Sequence, residues 1–160
     1  MRQWEKNAKL LETLEKIDDN TDVIYMEIKM PFPFENRDMV QKRIAINNKK
    51  NPELIKKYGL PEKDVEYVII QAQSVERSEK PEIKKITRAN TVLSVCVMEK
   101  DTTVPNRIHI KMIVCNDIKM KVPHIMRNMM LKQMGKMMIS TLTDAYKKIY
   151  KKKWVIKLDI

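Results

Sequence analysis

The spacing of apolar positions changes character twice along the chain. Near the start, Trp4, Ala8, Leu10, Leu11 and Leu14 return at helical intervals with lysine and glutamate between them. That spacing predicts an opening helix, ended by the turn-favouring cluster Asp18-Asp19-Asn20-Thr21. From Val23 to Met30 the period drops to two. Ile24, Met26, Ile28 and Met30 face one way and Glu27 and Lys29 the other, as in a strand with one face in a core. Pro31 and Pro33 break the run, because neither can donate to a ladder. A second strand is expected from Met39 to Ile46.

The connection from Asn47 to Asp64 is long and polar. Within it, Asn51-Pro52-Glu53 resembles a cap followed by a first-turn proline, and Gly59 a stop, which predicts a short surface helix from Pro52 to Tyr58. Three further strand regions follow: Val65 to Val75, Ile83 to Arg88 running on into Val92 to Met98, and Arg107 to Cys115. In the last, Ile108, Ile110, Met112 and Val114 are expected to face inward, with Arg107, His109 and Lys111 outward. Pro123 then opens an amphipathic helix reaching about Lys153, with Met126, Met129, Met130, Met134, Met137, Met138 and Leu142 on one stripe. A helix, a run of antiparallel strands and one long helix define an α+β fold, a curved antiparallel sheet wrapped around the C-terminal helix.

Composition adds two facts to this pattern. Of 13 methionines, six lie between Met126 and Met138. Methionine is flexible and polarisable, so such a stripe fits either a solid core or the wall of an apolar cavity. The net charge of +11 fits a nucleic-acid footprint, attraction to anionic membranes, or a lysine-rich solvated exterior. At the chain end, Lys147, Lys148, Lys151, Lys152 and Lys153 stand before Trp154; they either complement a helix dipole or approach anionic headgroups.

Chemistry is sparse. The chain carries no nucleophile elbow, P-loop or dinucleotide fingerprint. His109 and His124 are far apart, Cys96 and Cys115 sit in apolar runs as small buried hydrophobes, and no metal-ligand spacing accompanies them. Catalytic residues, cofactors and metals are therefore expected to be absent. With no run long enough to span a bilayer, a soluble cytoplasmic protein is the expectation.

The segment Thr21 to Asp38, and within it Met30-Pro31-Phe32-Pro33-Phe34-Glu35-Asn36-Arg37-Asp38, resembles START domains, the StAR-related lipid-transfer family, and especially its phosphatidylcholine-transfer branch. Gln3-Trp4-Glu5, the stretch Ser78 to Glu82 and Val122-Pro123 match the family in the same order, so the likeness covers nearly the whole chain, 1–160, as a single domain. The resemblance implies a helix-grip fold in which the sheet and the C-terminal helix enclose one lipid. It implies that the family's N-terminal helix and about three strands stand outside this chain: either the chain is a truncated product, or a second copy or swapped partner completes the sheet. Met26 and Met39 occupy positions where the phosphatidylcholine branch places cage aromatics. The expected function is non-enzymatic lipid binding with transfer or sensing. Met26, Met39, Met112, Met126, Met129 and Met130 would line the tunnel, Arg37 would meet the headgroup, and Lys151, Lys152, Lys153 and Trp154 would touch anionic membrane. A cyclase-like cavity enzyme and a basic nucleic-acid-binding module are the alternatives.

Overall fold

The computed structural model describes residues 8–120 except 31 and 33, together with 135–136, 139–140 and 143–144. Seven strands form one curved sheet: β1 (Ala8–Lys16), β2 (Thr21–Ile28), β3 (Asn36–Asn47), β4 (Tyr67–Ser74), β5 (Ile86–Arg88), β6 (Asn90–Lys100) and β7 (Ile108–Asp117). The order is β1-β2-β3-β4-β6-β7, every neighbouring pair antiparallel. Strand β4 pairs with the second half of β3, and β5 pairs in parallel with its first residues, Asn36 to Asp38. Among the described strands, β1 and β7 end this path, and β5 likewise has a single neighbour, β3.

The opening helix is overturned from Ala8 onward, where the chain is strand β1. Its pairing with β2 slips twice, between Ala8 and Leu10 and between Thr13 and Glu15. Each slip inserts a residue into the alternation and imitates helical spacing. Leu11 thus shares a sheet face with Met26, while Leu14 packs on the opposite face against Val23, Tyr25 and Val40. Ladder pairing decided the element, not the spacing of the leucines. Trp4 lies outside the described residues.

Side chains opposite one another in a ladder share a face, so the register sorts the sheet into two faces. On face A, β2 and β3 bury Val23, Tyr25, Glu27, Asp38 and Val40. On face B lie Ile24, Met26 and Ile28, paired with Gln41, Met39 and Arg37. The alternation in β2 is as expected, but both faces are partly buried: Val23, Tyr25 and Glu27 on face A and Ile24 on face B, whereas Met26 and Ile28 are half-exposed. What covers face A explains the burial there. Val75 and the chain after it lie over Tyr25. Farther along, the connection 47–64 folds back so that Ile55 of α1 (Pro52–Lys57) packs on Ile46 and Tyr67. Burying such apolar side chains is worth about 2 kcal/mol each.

The short helix falls where its signals placed it, with Pro52 in the first turn and Gly59 at φ +60 beyond the end. Asn48 fastens the connection: its amide donates to Lys63 O at 3.1 Å and Val65 O at 2.9 Å, and its carbonyl oxygen accepts from Tyr67 N at 2.8 Å.

Two further expectations change. Ile108, Ile110, Met112 and Val114 do share one face of β7, yet all are exposed. Cys115 is exposed as well, because edge strand β7 has its partner β6 on one side only; Cys96, on β6, is half-buried, and its thiol pKa is pushed up by burial. Six residues of the expected C-terminal helix are described. All six are helical, and Thr143 Oγ1 donates to Ile139 O at 2.8 Å, one turn back. The remainder of that helix lies outside the described residues.

Candidate functional site

Face B extends from β1 to β7. Leu11 stands against Met26, and Met26 against Met39. Beyond them, Ile70 pairs with Cys96 and Cys96 with Met112, while Val68 pairs with Met98 and Met98 with Ile110. Of the expected lining residues, the register therefore brings Met26 and Met39 into direct opposition. Met112 stands on the same face three strands farther over. Met126, Met129 and Met130 lie outside the described residues, as do Lys151, Lys152, Lys153 and Trp154.

A polar cluster interrupts this surface beside the methionines. Gln41 Nε2 donates to Thr91 Oγ1 at 2.6 Å and approaches Met39 Sδ at 3.6 Å; Thr91 Oγ1 lies 3.5 Å from the same sulfur. Gln41, Thr91 and Met39 are all buried, and Thr91 N donates to Ser74 Oγ at 2.8 Å. Neither Gln41 nor Thr91 is among the site residues expected from the sequence. Gln41 was findable, since it follows Met39 at the strand period of two. Thr91 was not, because its meeting with Gln41, fifty residues away, depends on how β6 enters the sheet. Farther along face B, Asp22 and Arg43 form a two-pronged ion pair at 2.6 and 2.9 Å.

The consecutive residues Asn36, Arg37 and Asp38 fasten three different segments. Asn36 closes the β2–β3 loop, its Oδ1 accepting from Met30 N at 3.3 Å and its Nδ2 donating to Glu27 Oε1 at 3.0 Å. Arg37, on face B and 5% exposed, donates from Nε to Ile118 O at 2.7 Å and from a terminal nitrogen to Glu35 O. These partners are neutral carbonyls, so among the described residues the hydrogen bonds of this buried guanidinium carry no counter-charge. Asp38, fully buried on face A, accepts from Arg88 Nε at 2.8 Å and Nη2 at 3.0 Å.

Around Asp38 the electrostatics are strong. Burial, together with the neighbouring Asp38 carboxylate, pushes the Tyr25 hydroxyl up to about 12. Arg88 is held charged by its hydrogen bonds to Asp38. Lys80 Nζ sits 4.8 Å from the centre of the Tyr25 ring, close enough for a cation–π contact.

His109 is exposed, with Nε2 at 3.0 Å from Asp101 Oδ2, and it lies on face A, away from Met112. Asp101 Oδ1 also accepts from Thr103 Oγ1 and from the Thr103 and Val104 amides, which holds its carboxyl far below the usual range. This is the architecture of a tight β6–β7 turn. Among the described residues no three histidine, cysteine or carboxylate side chains gather as metal ligands, and no helix is long and apolar enough to cross a membrane.

One face of the curved sheet is thus packed by the chain's own connections, and the other carries Met26, Met39, Met98 and Met112 beside the Gln41–Thr91 cluster. The START domain family model matches residues 1–152, and the chain belongs to that family. Among solved structures, human STARD10 is similar with TM-score 0.70 and 20% identity, over 91% of this chain and 52% of that one. Human StAR-related lipid transfer protein 5 gives TM-score 0.69 and 14% identity, over 92% and 64%. The human StarD13 (DLC2) lipid transfer and protein localization domain gives 0.59 and 19%, over 75% and 52%. This chain thus spans between half and two thirds of the length of these relatives. No curated protein sequence matches it.

Proposed function

We propose that the protein binds a lipid on face B and transfers or senses it without covalent chemistry. The observation that carries this reading is the register itself. It gathers Leu11, Met26, Met39, Cys96, Met98 and Met112 onto one face, while the connections 47–64 and 75–89 cover the other. Membership in the START family supports the same reading. Methionines let one surface follow acyl chains of varied length and unsaturation. Each methylene moved from water onto such a surface is worth about 0.8 kcal/mol, so a chain of ordinary length drives extraction by burial alone.

The ligand is a phospholipid on this reading. Arg37 supplies a buried positive charge whose present partners are carbonyls, and a phosphate would give it a counter-ion. The hydrogen-bonding group of Gln41 and Thr91, beside Met39, would meet headgroup or ester oxygens. Met26 and Met39 replace an aromatic cage with a thioether pair, so a quaternary ammonium gains no cation–π stabilisation there, and choline is not the discriminating feature. The helix carrying Met126, Met129 and Met130 would complete the enclosure, with Lys151, Lys152, Lys153 and Trp154 against an anionic membrane.

Native mass spectrometry of the purified protein tests this directly. A phospholipid of defined mass should co-purify, and labelled lipid should move between vesicles faster with the protein than without it. A protein that is empty by mass and inactive in transfer would defeat the proposal.

A further inference from the structure

The edge of a sheet presents unpaired N–H and C=O groups, which proteins blunt with bulges, charges or brevity. Among the described strands, β1 slips twice against β2 and carries Lys9, Glu12, Glu15 and Lys16, and β5 has three residues. Strand β7 carries little such protection. From Ile108 to Cys115 it follows β6 without a slip, and all ten residues of the strand are exposed. It is apolar on both faces, with Ile108, Ile110, Met112 and Val114 on face B and Ile113 and Cys115 on face A beside His109 and Lys111.

The ladder fixes which of its backbone groups face outward. Asp101 N donates to Arg107 O at 3.0 Å, so the odd-numbered residues of β7 are those that bond to β6. On the far side of β6, Lys100 N donates to Glu66 O at 3.0 Å, as the same phase requires. Alternation then turns the N–H and C=O of Ile108, Ile110, Met112 and Val114 toward the open edge.

We propose that this edge is occupied by a second copy of the chain, β7 against β7, antiparallel about a two-fold axis at Met112. Charge selects the register, because like charges directly opposite one another in a ladder destabilise it. Centred on Lys111, the axis sets the two lysines face to face. Centred on Ile110, it sets Lys111 of one copy against His109 of the other; centred on Ile113, it sets Arg107 against Lys119. Centred on Met112, it sets Arg107 against Asp117, Lys111 against Ile113, His109 against Cys115 and Ile110 against Val114. The only charges that then meet are opposite, and symmetry makes them meet twice. Arg107 is half-exposed beside Asp101 and Asp117 is exposed, so both are available. Each copy keeps its own core on face A, so breaking the ladder should release folded monomers. The proposal stands apart from the lipid reading, although it joins the two face B surfaces at Met112.

Sedimentation equilibrium of the 160-residue chain over a concentration series, at about 0.15 M salt, tests it. Wild type should pass from monomer to dimer and no further. Arg107→Asp should weaken the dimer by roughly tenfold, and Arg107→Asp with Asp117→Arg should restore it. Odd-numbered pairs are the close ones across this ladder, about 4.5 Å between Cα atoms, within reach of a disulfide. His109→Cys should therefore cross-link two copies through Cys115 on mild oxidation, and Cys115→Ser in that background should abolish the link. A wild type that stays monomeric at every concentration overturns the proposal. So does a dimer that ignores Arg107→Asp, one that the exchanged pair fails to restore, or a His109→Cys dimer that forms no link through Cys115.

Discussion

Tyr25 is buried among charged groups. Its ring lies under Lys80, and its hydroxyl, beside Asp38, is pushed up to about 12. A group whose pKa is raised by folding contributes stability that is complete below its unfolded value, about 10, and is lost as pH climbs through the folded value. Burial raises Tyr67 as well, so ultraviolet titration should show a late phase near pH 12 that is reduced in Tyr25→Phe. The variant's stability should also fall less steeply than wild type between pH 10 and 12. Coincident titration of all tyrosines near 10 would refute this. The same burial makes Asp38 the residue least tolerant of change. Asp38→Ala strands Arg88 beside an apolar core and should cost about 3 kcal/mol in urea unfolding.

At the scale of elements, the segment between β4 and β5 is held over face A by three ionic contacts of unequal value. Arg77 with Glu15 and Lys80 with Glu12 are partly exposed at one or both ends, whereas Arg88 with Asp38 is buried. Exposed pairs are screened by salt and worth well under 1 kcal/mol. Glu12→Gln should change stability by about 0.5 kcal/mol or less, while Arg88→Ala should both destabilise the fold and expose 76–85 to proteolysis. Identical cleavage in the two variants would show that the buried pair is not the fastener. The short helix makes a cleaner test. Gly59 has φ +60 and open space where a Cβ would stand, so Gly59→Ala should cost about 1 kcal/mol from backbone strain alone, and Gly59→Asn less.

For the whole molecule, the division of the sheet into two faces is the main consequence of the fold. One face is covered by the chain's own connections, and the other, on the reading proposed above, receives the ligand. Met112 separates structure from function because it lies on face B yet is 41% exposed. Met112→Lys should keep the wild-type melting temperature and lose most of the lipid seen by native mass spectrometry, since a cation among acyl chains is poorly accommodated. Full lipid occupancy in that variant would remove β7 from the binding surface.

Much of this was determined locally and was therefore legible in the sequence. Alternation over β2, β3 and β7, the proline-opened α1 and its glycine stop, and the short motif from Met30 to Asp38 each depend on residues within a few positions of one another. They led to the strands, the helix and the family. The facing of Met26 and Met39 also follows from two neighbouring strands joined by a short loop. Tertiary structure decided the rest. Whether Ala8–Lys16 is helix or strand turned on a ladder with β2 whose two slips no local pattern announces. The burial of Tyr25 and Ile46 on face A turned on connections that return from beyond residue 47 to cover them. The partners of Asn36, Arg37 and Asp38 come from the loop before them, from Ile118 and from Arg88. Local order is written in the spacing of side chains; which distant chain comes to lie against them is settled only when the sheet closes its register.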